Sequence, residues 1–429
     1  MKYRTLIFLS LLFIALSDVL TYVGIMGFDQ GYFTSVSLIV KYLTLTIFLR
    51  IGIKKKWDED IPTVISLLFK ILMMYQIITI VRGAYASNDY WDWKFLFHSS
   101  LLFHLFPFAL FIGINLRYSK ILFKDVFQFL FRYGFVLIPL ALVTNIELYS
   151  RLMIPISVFI LFIPYVKPEW RVLVLVVMVA SILMYIGFRA NILKIAAALA
   201  ILSTYYIRSF IPMWAIKVVH ATLFIVPVLL LGLAISGSYN IFSVMAESEG
   251  YEMQTNGGSS ENLAADTRTL LYVEVLNTLY QDNTFLFGEG ATAKYRSDLF
   301  DYLGDNRGRY SSEVAFLNIL FYSGIAGITL FALFLILVSY FAIYRSNNWL
   351  CKMLGLLIAF RWFMCFVEEF THFDLNFYFL WVVIGLLSSR AFRSLSEKQV
   401  KQFFKTTMVR KSTNSYLQKN KRLVTEARG

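Results

Sequence analysis

Charge is scarce in this chain. Only 16% of its 429 residues are Asp, Glu, Lys or Arg, against roughly 25% in soluble domains, and that shortage excludes a soluble enzyme. Cysteine is scarcer still. Cys351 and Cys365 are the whole supply, and on one helix they stand roughly 21 Å apart along the axis, too far to bridge. Histidine is thin and scattered at His98, His104, His220 and His372, with no spacing that sets several on one face, so no Cys/His metal site is expected.

What fills the chain instead is apolar. Hydrophobic residues make up 58%, with 41 Phe and 26 Tyr, and they fall in runs of roughly 18 to 22 residues, the length of a helix crossing a ~30 Å hydrocarbon layer. The runs lie near 5–25, 32–53, 62–82, 95–114, 124–145, 149–166, 170–188, 190–207, 217–237, 314–343, 348–367 and 372–391. The expected fold is therefore an all-α polytopic membrane protein with about twelve transmembrane helices. Nine occupy 1–237 and three occupy 313–391. Between them 238–312 forms one large outer loop containing helical structure, and 392–429 is a basic tail.

The net charge of +13 is uneven. From Arg390 to Gly429 there are 11 Lys or Arg against two Asp or Glu, so the tail reads as cytoplasmic and drawn to anionic lipid rather than to nucleic acid. The loops alternate in charge. One set carries Lys2 and Arg4, Lys54 to Lys56, Arg117, Lys120 and Lys124, Lys167 and Arg171, Arg208 and Lys217, Arg345 and the tail. The other carries Asp29, Asp89 and Asp92 with Arg82 and Lys94, Glu147, the 238–312 loop, and Glu368 with Glu369. The positive-inside rule makes the first set cytoplasmic and the second external. Ala15-Leu16-Ser17 faintly resembles a signal-peptidase site, but the apolar run continues past it, and an uncleaved first helix keeps both termini inside.

The outer loop is acidic, with 11 Asp or Glu against five Lys or Arg. It holds a Gly/Ser-rich piece at 255–260, then a helix after Asp266 whose Leu271, Val275 and Leu279 share a face, with Tyr272, Leu276 and Tyr280 beside it. Such a helix lies along the membrane surface or against the bundle.

Ionisable groups near the outer ends of spans carry the candidate chemistry. Arg189 sits in the short turn Gly187-Phe188-Arg189-Ala190-Asn191, on a side where cations are few; it pairs with headgroups or a nearby Glu, or it binds a substrate anion. Arg268 falls in the first turn of the loop helix, where the dipole disfavours a cation; either an anion docks there or Asp266 and Glu261 neutralise it. Glu313 follows the loop at the start of a span, capped by Ser311 or Ser312. It suits either dipole stabilisation or a general base. The same rim carries Arg361, Trp362, Glu368, Glu369, His372 and Asp374, which bind sugar hydroxyls or lock helices through an ion pair. Lys41, Lys70, Arg132 and Asp18 lie within spans and are weaker candidates, because long cations snorkel. Gly288-Glu289-Gly290 lacks the glycine pattern and Lys-Ser/Thr of a nucleotide loop, and no Asp-x-Asp stands in the outer loop.

Four segments together resemble the O-antigen polymerase and ligase superfamily of GT-C-type membrane glycosyltransferases. They are Gly187-Phe188-Arg189-Ala190-Asn191, Asp266-Thr267-Arg268-Thr269, Asn283 to Gly290, and Ser312-Glu313 followed by Leu317 and Tyr322-Ser323-Gly324-Ile325-Ala326-Gly327. The resemblance implies a bacterial inner-membrane enzyme with a periplasmic site, needing no cofactor, that uses undecaprenyl-pyrophosphate-linked oligosaccharides. It assigns Arg189 and Arg268 to the donor pyrophosphate, with Tyr272, Arg361, Trp362, Glu368 and Glu369 as further substrate contacts. Ligases of that group carry a His where Glu313 stands, which favours a repeat-unit polymerase over a ligase. A lipid-oligosaccharide flippase is the rival from another class, and a chain-length regulator is a conceivable partner.

Overall fold

A computed structural model describes residues 3–25, 30–53, 57–143, 152–153, 155–184, 189–235, 252–254, 260–262, 267–297 and 308–407. Glu147, the 255–259 piece, Asp266 and the tail beyond Thr407 lie outside them.

The described chain is almost entirely helical. Helices α1 (Tyr3–Ile25), α2 (Gln30–Ile53) and α3 (Thr63–Ala86) come first. Residues 90–114 follow as a broken helix: α4 (Tyr90–Phe95), a π turn (Leu96–Ser100), α5 (Leu101–Leu105), a 3-10 turn (Phe106–Ala109) and α6 (Leu110–Ile114). Then come α7 (Leu116–Val143), α8 (Ile156–Phe159) with its 3-10 extension Ile160–Tyr165, α9 (Pro168–Met184), α10 (Arg189–Tyr206) and α11 (Met213–Ile235). The chain continues through α12 (Thr267–Gln281), α13 (Ala315–Tyr344), α14 (Trp349–Met364) and α15 (Leu375–Ser388). Two short helices close the described part, α16 (Arg390–Ser394) and α17 (Glu397–Thr407).

Every one of the twelve apolar runs carries helix, but six helical stretches among the described residues are long and apolar enough to cross a membrane: 3–23, 31–53, 63–86, 90–114, 213–233 and 315–344. Of the rest, α9, α14 and α15 are 17, 16 and 14 residues long, whereas α7 has 28 residues but carries Arg117, Lys120, Lys124, Asp125 and Arg132. Pro107 and Pro164 each sit in 3-10 turns, where the missing N–H of proline interrupts the α ladder. Two three-residue strands, β1 (Glu252–Gln254) and β2 (Ser260–Asn262), pair antiparallel, a small departure from the expected all-α chain.

Helices α14 and α15 form the centre, buried on nearly every face, as helices apolar all round must be. Side-chain caps set where they begin: Asn348 accepts from Cys351 N at 2.9 Å and Asp374 from Phe377 N at 2.8 Å. Asp374 of the acidic rim is thus a cap, satisfying an N–H that has no partner within the helix. Both cysteines are buried and free.

Among the described residues, charged groups lie at both ends of the bundle. At one, Arg4 pairs with Asp125 at 3.0 Å, Arg393 donates to Arg345 O at 3.3 Å, and Asp60 accepts from Ala391 N at 3.1 Å. Helix α17 docks there. Its Val400 and Phe404 are fully buried, and Phe404 meets the rings of Phe123 and Phe162. The first part of the basic tail therefore covers protein as well as presenting lysines outward. At the other end the 282–297 segment folds back on α3 and α13.

Helix α12 packs against the bundle. Leu271, Val275 and Leu279 are its buried face, as the spacing predicts. Glu313 does not begin α13, because the helix starts at Ala315 behind an uncapped Val314. Ser312 is drawn away to Asn318 instead, donating its N–H to Oδ1 at 2.7 Å.

Candidate functional site

Helix α13 is broken at Gly324, whose φ of 66° and ψ of −172° no helix contains. A break leaves backbone groups unpaired, and in an apolar layer each would cost several kcal/mol. Here the turn 285–291 and α3 satisfy them. Phe321 O accepts from Glu289 N at 2.8 Å, Tyr322 O from Gly290 N at 3.0 Å, and Ser323 O from the Tyr75 hydroxyl at 2.7 Å. Beyond the break, Ile325 N donates to Phe285 O at 2.8 Å and Ala326 N to Leu286 O at 3.1 Å. Arg82 of α3 completes the junction by donating to Phe287 O and Gly288 O, each at 2.6 Å. Two of the four resemblance segments, Asn283–Gly290 and Tyr322–Gly327, thus form a single structural unit.

Beside it, residues 365–371 connect α14 to α15, and three helix beginnings meet on them. From α10, Lys194 Nζ bonds Glu368 Oε2 at 2.7 Å. From α12, the Tyr272 hydroxyl donates to Phe366 O at 2.9 Å. From α13, Ala315 N donates to Glu368 O at 3.1 Å, Phe316 N to Cys365 O at 2.8 Å, and Asn318 Nδ2 to the Glu369 carboxylate.

The two adjacent glutamates have opposite surroundings. Glu368 is buried between two cations, Lys194 and Arg361, the latter at 3.3 Å. Arg361 also lies over the Phe370 ring at 4.8 Å and lines a small cavity with Ser157 and Asn376. This ion pair locks helices, one of the two roles the sequence leaves open for the rim. Glu369 is partly exposed and is held by neutral donors, Thr371 N and Oγ1 with Asn318. Burial pushes its carboxyl up from 4.5 to about 7, against those hydrogen bonds and with help from the neighbouring Glu368 charge.

A pH dependence follows. With its pKa raised in the folded state, Glu369 binds its proton more tightly there than when unfolded, so its contribution to stability is full below about 4.5 and is lost as pH rises towards about 7. Thermal melts of detergent-solubilised protein across that window are expected to fall for wild type and to flatten for Glu369→Gln. An identical slope in the variant would remove Glu369 as the titrating group.

Further out, Lys294 bridges Asp92 at 2.7 Å and Asp89 at 3.4 Å, and Tyr310 donates to Asp92 at 2.9 Å. Burial opposes the Lys294 charge, but the bond to Asp92 outweighs it and raises the ammonium pKa above its ordinary value.

The sequence-derived candidates divide into groups. Glu313 has 65% of its side chain exposed and pairs with Arg309 at 3.2 Å. Trp362 is buried, donates to Phe224 O at 3.2 Å and stacks on the Phe224 ring. Tyr272 stacks on Phe316. The side chains of Arg189 and Arg268 lie outside the described residues. Their backbones are the first residue of α10 and the second of α12, each within roughly 8 Å along the axis of Lys194 and Tyr272 respectively. Sequence reasoning missed Lys194, Asn318, Thr371 and Arg82. Lys194 was discoverable, as a lone cation inside an apolar helix; Asn318 and Thr371 carry no comparable local signal.

No family model, curated protein or solved structure matches this chain.

Proposed function

We propose that the protein is a metal-independent membrane glycosyltransferase that polymerises undecaprenyl-pyrophosphate-linked oligosaccharide repeat units into a surface polysaccharide. In this proposal the chain spans a bacterial inner membrane twelve times, with both termini cytoplasmic and the 238–312 loop periplasmic. Support comes chiefly from one observation: α10, α12 and α13, whose beginnings carry or directly follow Arg189, Arg268 and Glu313, all bond to residues 365–369.

In the reaction, a non-reducing-end hydroxyl of one repeat unit attacks the anomeric carbon of another. A new glycosidic C–O bond forms, the C–O bond to pyrophosphate breaks, and undecaprenyl pyrophosphate leaves with the bonding electrons. Arg189 and Arg268 neutralise that leaving group, for which a planar guanidinium is suited. The hydroxyl proton goes to a rim carboxylate, either Glu313 at the exposed edge or Glu369 beneath it. Tyr272, Arg361, Trp362 and Glu368 shape the wall of the site from inside the protein.

The test is gel profiling of surface polysaccharide from a deletion strain complemented with wild type, Arg189→Ala, Arg268→Ala or Glu313→Gln at matched protein levels. Each arginine variant is expected to lose long chains while keeping single repeat units, through a rate loss of about 10²–10³. Long chains stranded on undecaprenyl pyrophosphate would instead make the protein a ligase. Repeat units that never reach the outer face would make it a flippase.

A further inference from the structure

The break in α13 also marks a height. From Ile325 to Tyr344 the helix runs about 20 residues, roughly 30 Å, which is the thickness of a hydrocarbon core. Helix α3 gives a second ruler: Thr63 to Arg82 is roughly 28 Å. Both rulers start at the same end of the bundle, where Asp60 bonds Ser389 and Ala391, and Arg393 bonds Arg345 O. Both finish where Arg82 and Gly324 hold the turn Phe285–Gly288.

At that height the turn displays Leu286 and Phe287, 58% and 55% exposed. They continue an outward apolar surface made by Val81 and Tyr85 of α3 and Ile325 of α13, at 60%, 94% and 49% exposure. The backbone is prepared for such a place. The carbonyls of Phe285, Leu286, Phe287 and Gly288 all accept hydrogen bonds from the protein itself, where a water-facing turn could leave them to solvent. Groups entering a lipid interface must have their partners built in.

From these observations we infer that the turn Phe285–Gly288 is a membrane anchor, with Leu286 and Phe287 inserted at the headgroup–acyl boundary of the outer leaflet. The partner is the lipid surface, since the patch is continuous with two helices that are themselves long and apolar enough to span. The anchor ties the outer segment to the bilayer at the level where α13 leaves it. It requires only that α3 and α13 cross the membrane, so it stands or falls separately from the polymerase proposal.

The experiment is nitroxide labelling of the full-length protein in phosphatidylethanolamine/phosphatidylglycerol vesicles. The native thiols, Cys351 and Cys365, are fully buried, which directs the label to an introduced cysteine. Leu286→Cys and Phe287→Cys are compared with Asp282→Cys, whose native side chain is 36% exposed at the end of α12. Labels at 286 and 287 are expected to collide preferentially with oxygen, and the label at 282 with a water-soluble nickel chelate, giving a several-fold higher oxygen-to-nickel ratio at the turn. Equal ratios at all three positions would place the turn in water and overturn the anchor. Protection from both reagents at 286 and 287 would mean a protein partner covers the patch, which overturns it as well.

Discussion

Glu368→Gln is expected to be among the most destabilising single substitutions in this chain, lowering stability by about 3–5 kcal/mol, the range for removing one member of a buried ion pair. The residue is buried between Lys194 and Arg361 at 2.7 and 3.3 Å. A neutral amide leaves two buried cations with their nearest counter-charge gone. The loss should appear in thermal or denaturant unfolding in detergent, and Glu368→Asp, which keeps the charge, should recover part of it. Lys194→Met tests the other arm: it frees α10, the helix that begins with Arg189, from the 365–371 segment. If Glu368→Gln melts within about 0.5 kcal/mol of wild type, the level of an ordinary surface change, the network contributes nothing.

Gly324→Ala is expected to be comparably severe, for reasons of backbone rather than charge. A Cβ there would lie 2.4 Å from Leu286 O and 2.5 Å from Gly288 N, at a φ of +66°. The strain of a side chain in that conformation is about 1–3 kcal/mol, and relieving the clash means expelling the 285–291 turn together with its hydrogen bonds. Gly288→Ala should do the same from the opposite side, since its Cβ would meet Gly324 N at 2.5 Å. The control is Gly232→Ala in α11, where a Cβ meets nothing within 4 Å, so alanine there should be neutral or mildly stabilising. Limited proteolysis within 282–297 reads the outcome directly. Protection equal to wild type in both junction variants would mean that the turn does not depend on the break.

The sequence determined whatever repeats locally. Apolar length marked where helices run, and the 271–275–279 spacing marked the buried face of α12. Those features rest on the helical period and on the free energy of removing apolar surface from water, both of which act over neighbouring residues. Tertiary structure decided the rest. The Tyr322–Gly327 segment reads as continuous apolar helix, and only docking of a turn that begins at Phe285 makes a break there affordable. Lys194 and Glu368 are separated by 174 positions, and no local pattern couples them. Adjacent carboxylates at 368 and 369 look alike in sequence, yet one is fixed between cations and the other is left with neutral donors. Ionic and polar partners buried inside a bundle come from whichever helices the fold brings together, so the different surroundings of the two glutamates exist only once the chain has folded.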